Sequence, residues 1–217
     1  MDRALGRLLD GLEERVPSRD RLVVVVGDHG ESLDLPAARP YGHGLDVDLV
    51  ATHVPFVVHG TGRWSSAVPA GTVVRPPVGL MDVAPTVSGL VGLPADPTAG
   101  GLDLSRVWSG AEPAERPLFS EATKPVSSET PAAWNNLHKE RAVVAKGALL
   151  TQTPWETQTA PSLFELAVGQ PELEDEIIEE SLLGYLHAWD QSAPDYRDAA
   201  MSEDTRAALE ALGYLER

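Results

Sequence analysis

The run VVVVGDHG, residues 23–30, constrains this chain more than any other stretch. Four consecutive β-branched residues favour an extended strand, and an apolar run without polar alternation suits a strand buried on both faces, as in a parallel sheet. Ahead of it, Leu5, Leu8, Leu9, Leu12 and Val16 recur at helical spacing with charges between them, which predicts an amphipathic helix and not a secretory signal. Helix, polar turn and buried strand together predict an α/β architecture. On a strand, neighbouring side chains point to opposite faces, so Asp28 and His29 can act together only if the chain turns at that point. Gly27 and Gly30 flank the pair and permit such a turn.

Ligands of open α/β sheets gather beyond the carboxyl ends of strands. Asp28 and His29, with His43 after a proline-broken loop, offer oxygen and nitrogen donors suited to a divalent cation. The same residues also fit a capped turn beside a hydrogen-bonded histidine, and spacing alone leaves both readings open. A nucleotide-hydrolase reading of VVVVGD requires a phosphate loop of the form G-x-x-x-x-G-K-[ST], and the chain has none.

Further along, HVPFVVHG (residues 53–60) predicts a second buried strand, followed by an irregular connection rich in Gly, Pro and Ser. LMDVAPTVSGLVGLP predicts a helix with Asp82 as N-cap, Pro85 in the first turn and Gly92 and Pro94 at its end. LFSE, RAVVAKGALLTQT and SLFELA predict short strands, with a hairpin at Lys146 and Gly147. The acidic run PELEDEIIEE predicts a helix over about 172–189 with Pro171 in its first turn, and EDTRAALEALGYL a last short one. The expected division is residues 1–112, carrying the strand-end acids and histidines, and residues 113–217, a smaller subdomain of short antiparallel strands and helices.

With 17 Lys and Arg against 33 Asp and Glu, the formal charge of −16 excludes a nucleic-acid partner, which would be repelled. No apolar run approaches the roughly 18 residues of a membrane-spanning helix. The absence of cysteine removes disulfides, thiolate ligands and a thiol nucleophile. Among the other polar residues, His53 and His59 could reach the strand-end crevice, though a structural role is the simpler account, and His138 and His187 read as surface groups. Glu121 reads as a strand-end hydrogen-bond acceptor, and Trp108, Trp134, Trp155 and Trp189 as anchors of the smaller subdomain.

VVVVGDHGESLDLPAARPYGHG, then ATHVPFVVHGTG and VGLMDVAPTVSGLVGLP, resemble in order the C-terminal half of the sulfatase family within the alkaline phosphatase superfamily. RPLFSEA, SLFELAVGQPELEDE and LEALGYLE continue the resemblance nearly to the end of the chain. The resemblance implies part of an alkaline-phosphatase-like sheet sandwiched by helices, with a smaller C-terminal α+β subdomain. It also implies hydrolysis of a sulfate ester of a small molecule or glycan, with a phosphate or phosphonate ester as the alternative. By the same resemblance Asp28 and His29 are metal ligands, for calcium first and for manganese, zinc or magnesium as alternatives, and His43 contacts the esterified anion or protonates the leaving oxygen. The family's nucleophile, in a C/S-x-P-S-R segment or as a threonine or serine in phosphatase-like branches, belongs upstream on the first strand. The segment RVPSR, residues 15–19, has Arg15 in the nucleophile position and does not supply it. The expectation is therefore a half site, inactive alone and completed by self-association or by pairing with an N-terminal half. A non-catalytic remnant or assembly partner is the competing expectation.

Overall fold

The computed structural model describes residues 2–16, 20–31, 43–44, 46–122, 140–153, 160–167, 169–192 and 202–203. Helix α1 (Asp2–Arg15) leads into strand β1 (Arg21–Val26). Arg21 joins the two: its guanidinium donates to the carbonyl oxygens of Leu12 and Val16 and to the carboxylate of Glu13. A cation at the carbonyl end of a helix also meets the negative pole of its dipole. The apolar stripe of α1 is only partly covered, Leu8 being 58% exposed.

Strand β1 pairs with β2 (Phe56–Thr61) in one antiparallel ladder, from Arg21 opposite Thr61 to Val26 opposite Phe56. This corrects the parallel, doubly buried reading of the valine run. The valines encode strand propensity and not direction, and the chain returns along the same edge through helix α2 (Leu49–Thr52). Among the described residues the sheet has these two strands only, so β1 is half-buried and β2 alternates, with Val57 53% exposed.

A 3-10 turn (Leu80–Asp82) runs into helix α3 (Val83–Val91), which stops at Gly92 in the left-handed region, φ 75°. Asp82 is not the simple cap expected. It is buried, and its carboxylate accepts from the Gly79 and Leu102 amides at 2.8 and 2.7 Å and pairs with Arg116. Its side chain makes no capping bond to α3.

Beyond residue 112 the short strands appear as expected. β3 (Leu118–Glu121), β4 (Arg141–Ala145), β5 (Ala148–Gln152) and β6 (Ser162–Glu165) form one antiparallel sheet in chain order. The β4–β5 hairpin turns on Lys146 and Gly147, φ 52° and 74°, the pair of positive angles a two-residue turn of right-twisted strands requires. Its residues Val143, Ala148, Leu149 and Leu150 are fully buried, so both faces of β5 are covered there. Glu121 accepts from Nε of Arg141 at 3.0 Å, the strand-end bond expected of it.

Helix α4 (Glu176–Ser192) begins later than residue 172. Asp175 caps it, accepting from the Ile177 and Ile178 amides, while the Pro171 carbonyl accepts from Glu165 and Glu172 bridges Phe164 alongside β6. The ladder therefore claims the residues that sequence assigned to the first turn. Leu182 and Leu186, four apart, are the buried face of α4, and His187 is exposed as expected. Trp108 and Trp189 are half-buried. Trp134, Trp155, His138 and the expected last helix over EDTRAALEALGYL lie outside the described residues. By backbone proximity residues 1–186 form one unit and residues 187–217 another.

Candidate functional site at the end of the valine strand

The four-stranded sheet also fixes the segment that supports the strand end. Val47 is buried against Ala122, Ala142 and Leu149, with Leu49 and Phe164 packed on the same cluster. The Val47 amide donates to Glu140 and the Leu49 amide to Gln170, at 3.1 and 3.3 Å. Between them Asp48 caps α2, its carboxylate accepting from the Ala51 amide at 2.9 Å. The Ala51 carbonyl in turn accepts from the Gly30 amide at 2.8 Å, and the Pro55 carbonyl from the Gly27 amide at 3.1 Å.

These two bonds hold the GDHG turn at both ends. Neither Gly27 nor Gly30 is among the glycines with positive φ. What glycine supplies is room: a Cβ on Gly30 would lie 1.8 Å from the Val50 carbonyl oxygen, and one on Gly27 would lie 3.1 Å from Cβ of Val54.

The turn lets neighbouring side chains converge. Nε2 of His29 lies 3.8 Å from Oδ2 of Asp28, and the rings of His29 and His43 stack with centroids 4.1 Å apart and planes at 26°. Nδ1 of His29 is 2.8 Å from the Gly30 carbonyl oxygen. A carbonyl only accepts, so Nδ1 carries the proton, and in the neutral ring Nε2 keeps its lone pair. Nδ1 of His43 lies 3.1 Å from Oε2 of Glu31. The Asp28 carboxyl is held below its usual 3.8, first by the His29 amide that donates to it, with smaller help from its own amide and the charges of His29 and His43.

A free carboxylate oxygen and a free imidazole nitrogen 3.8 Å apart suit the first part of a cation shell. Donors sharing a cation at bonds of roughly 2.0–2.4 Å stand about 3.4 Å apart, which a small rotation of either side chain reaches. Among the described residues no group of three or more His, Asp or Glu side chains is placed to close around an ion. Asp28 and His29 thus fit a cation as part of a shell.

His53 and His59 stand apart from this cluster. His53 is exposed and its amide caps α2 by donating to the Leu49 carbonyl, while exposed His59 faces Val23 in the ladder, well before the strand end. Glu31 is the residue sequence reasoning missed. The signal available was its position two residues past His29, since alternate residues of an extended stretch share a side.

Residues 1–93 match the family model Sulfatase. Mouse (Mus musculus) steryl-sulfatase is 33% identical over 122 residues, covering 51% of this chain but 19% of its own length. A phosphonate monoester hydrolase from Silicibacter pomeroyi shares the fold over 94% of this chain and 41% of its own, with TM-score 0.64 and 20% identity. A protein solved in complex with its substrate D-glucosamine-2-N,6-O-disulfate matches over 91% of this chain and 40% of its own, with TM-score 0.64 and 16% identity. The chain therefore spans less than half the length of each of these proteins. No described helix is long and apolar enough to cross a membrane. The stretch matched by the family model holds Asp28, His29 and His43, and the fold is the mixed α/β one of these structural neighbours.

Proposed function

We propose that this chain supplies the late half of a metal-dependent sulfatase-like ester hydrolase site, with Asp28 and His29 as cation ligands and His43 as the group that meets the ester. The convergence of Asp28 and His29 just past β1 carries the reading: a carboxylate oxygen and an imidazole nitrogen lie 3.8 Å apart on an exposed turn tied down at both ends. A bound cation would offset the negative charge that develops on an esterified sulfate oxygen. Asp28 and His29 bind and orient it, with calcium the first choice and manganese, zinc or magnesium the alternatives. His43, stacked on His29, is placed to contact the anion or to give a proton to the leaving oxygen.

The substrate class is a sulfate ester of a small molecule or glycan. A phosphate or phosphonate ester is second, because the same donors serve either anion. The boundary near residue 112 separates the part of the core that holds the site from a smaller subdomain built on β3–β6. The nucleophile comes from a segment other than these residues, since the chain has no cysteine and its one P-S-R follows Arg15 and Val16. A nucleophile is indispensable to covalent catalysis, so the chain alone is inactive and gains activity only by pairing with an N-terminal half or with another copy.

Calorimetric titration of calcium and of manganese into the chain and into Asp28→Ala tests the ligand assignment. Weaker binding by the variant is expected; equal binding of both ions would count against it and favour a non-catalytic remnant. Turnover of aryl sulfate, aryl phosphate and aryl phosphonate by the pure chain should be absent. Robust metal-dependent turnover would overturn the half-site reading and name the ester.

A further inference from the structure

Glu31 takes no part in the reading above, yet it fixes one end of His43. Its Oε2 stands 3.1 Å from Nδ1 of His43 while the His29 ring covers a face of the same imidazole at 4.1 Å. The His43 ring is thus held at one edge and on one face. An ionised carboxylate only accepts hydrogen bonds, so the nitrogen facing it carries the proton. Nε2 is then the nitrogen left for other work.

We propose that Glu31 is a positioning residue that holds His43 as its Nδ1–H tautomer and so selects Nε2 as the atom that meets the ester. This rests on the reading of His43 as the group at the leaving oxygen. As that oxygen departs, the Nε2–H bond of the imidazolium breaks, an O–H bond forms on the leaving oxygen, and the neutral ring that remains is protonated at Nδ1. Glu31 faces that proton before and after the transfer, so the ring returns to the same geometry. Without Glu31 the ring is free to turn over and present Nδ1, or to adopt the Nε2–H form that imidazole prefers in water. With both side chains 43% exposed, the pair adds little to folding stability. Its consequence is orientation, as with the carboxylates that fix metal-bound and catalytic histidines elsewhere.

Nitrogen NMR of the full chain with isotopically labelled histidine, in the absence of metal and at a pH where the rings are neutral, reads the tautomer directly. His43 signals are assigned by their loss in His43→Phe. The parent should show His43 protonated at Nδ1. Glu31→Ala should move Nδ1 from the pyrrole-type to the pyridine-type region, and Glu31→Gln, whose amide oxygen still accepts, should restore the parent pattern. His29, held by the Gly30 carbonyl, should stay unchanged throughout. A parent His43 protonated at Nε2, or a Glu31→Ala spectrum identical to the parent, would overturn the proposal. Neither outcome depends on cation binding or turnover, so failure here and failure of the functional reading are told apart.

Discussion

Asp82→Ala should be the most costly single substitution near the α3 end of the molecule. Asp82 is 1% exposed, and both of its oxygens are occupied: Oδ2 by the Gly79 amide at 2.8 Å, Oδ1 by the Leu102 amide at 2.7 Å and by Arg116. Removing one partner of a buried ion pair costs about 3–5 kcal/mol, because the other charge is left without compensation. The Arg116 side chain is 22% exposed and can partly recover water, which places this loss near the low end, about 3 kcal/mol. The two abandoned amides add about 1 kcal/mol once partial rehydration is allowed, for a total of about 4 kcal/mol. For a chain of this size that lowers Tm by roughly 8–16 °C. Asp82→Asn keeps the volume and one acceptor but loses the charge opposite Arg116, and should cost about 2 kcal/mol. Thermal melts followed by circular dichroism compare parent, both variants and the Asp82→Ala, Arg116→Ala pair. The double variant should be less destabilised than the sum of its singles, since the second truncation removes the stranded cation. A fall in Tm under about 3 °C for Asp82→Ala, or equal losses for Ala and Asn, would refute the argument.

Gly30→Ala tests the room argument: its Cβ cannot coexist with the Val50 carbonyl oxygen, so the turn must shift and release the Ala51 bond. The expected loss is about 1–3 kcal/mol of stability together with weaker calcium binding by calorimetry, and an unchanged affinity and melt would contradict it. Thr98→Val tests the turn after α3, where the Thr98 hydroxyl and then its amide hold the Asp96 carboxyl below 3.8. A depressed carboxyl contributes stability that is present above the unfolded value and lost as pH falls through the lowered folded one. Without the hydroxyl the Asp96 titration, followed by carboxyl carbon NMR, should move up towards 3.8, and an unmoved curve would show that the amide alone sets it.

Local features of this chain were legible because neighbours in sequence cause them. The valine run makes a strand through its own side-chain sterics, Lys146 and Gly147 make a hairpin turn through their own dihedral angles, and Gly92 ends α3 in the left-handed region. The strand end was legible for a different reason: a glycine-flanked acid and histidine can approach each other only if the chain bends, and the GDHG turn bends. The direction of β1 was not legible, because side-chain propensity is the same in either sense and the return path through α2 decides it. Nor was the work of Asp82, whose acceptor duties are set by Leu102 and Arg116, 20 and 34 residues away.

The site shows how such distant causes reach a local turn. Gly30 is confined by the Val50 and Ala51 carbonyls, those belong to α2, α2 starts at the Asp48 cap, and Asp48 is fixed by Val47 and Leu49 packing on β4, β5 and β6. Each link is a single hydrogen bond or a single buried side chain, so the geometry at Asp28 and His29 depends on a sheet more than a hundred residues downstream. Deleting or unfolding the β3–β6 region would remove the support of α2 and loosen the strand end, even though among the described residues the hydrogen bonds of the Asp28 and His29 side chains stay within the turn. This coupling ties the candidate site to the β3–β6 sheet: the sheet sets the position of α2, and α2 sets the bend on which Asp28 and His29 meet.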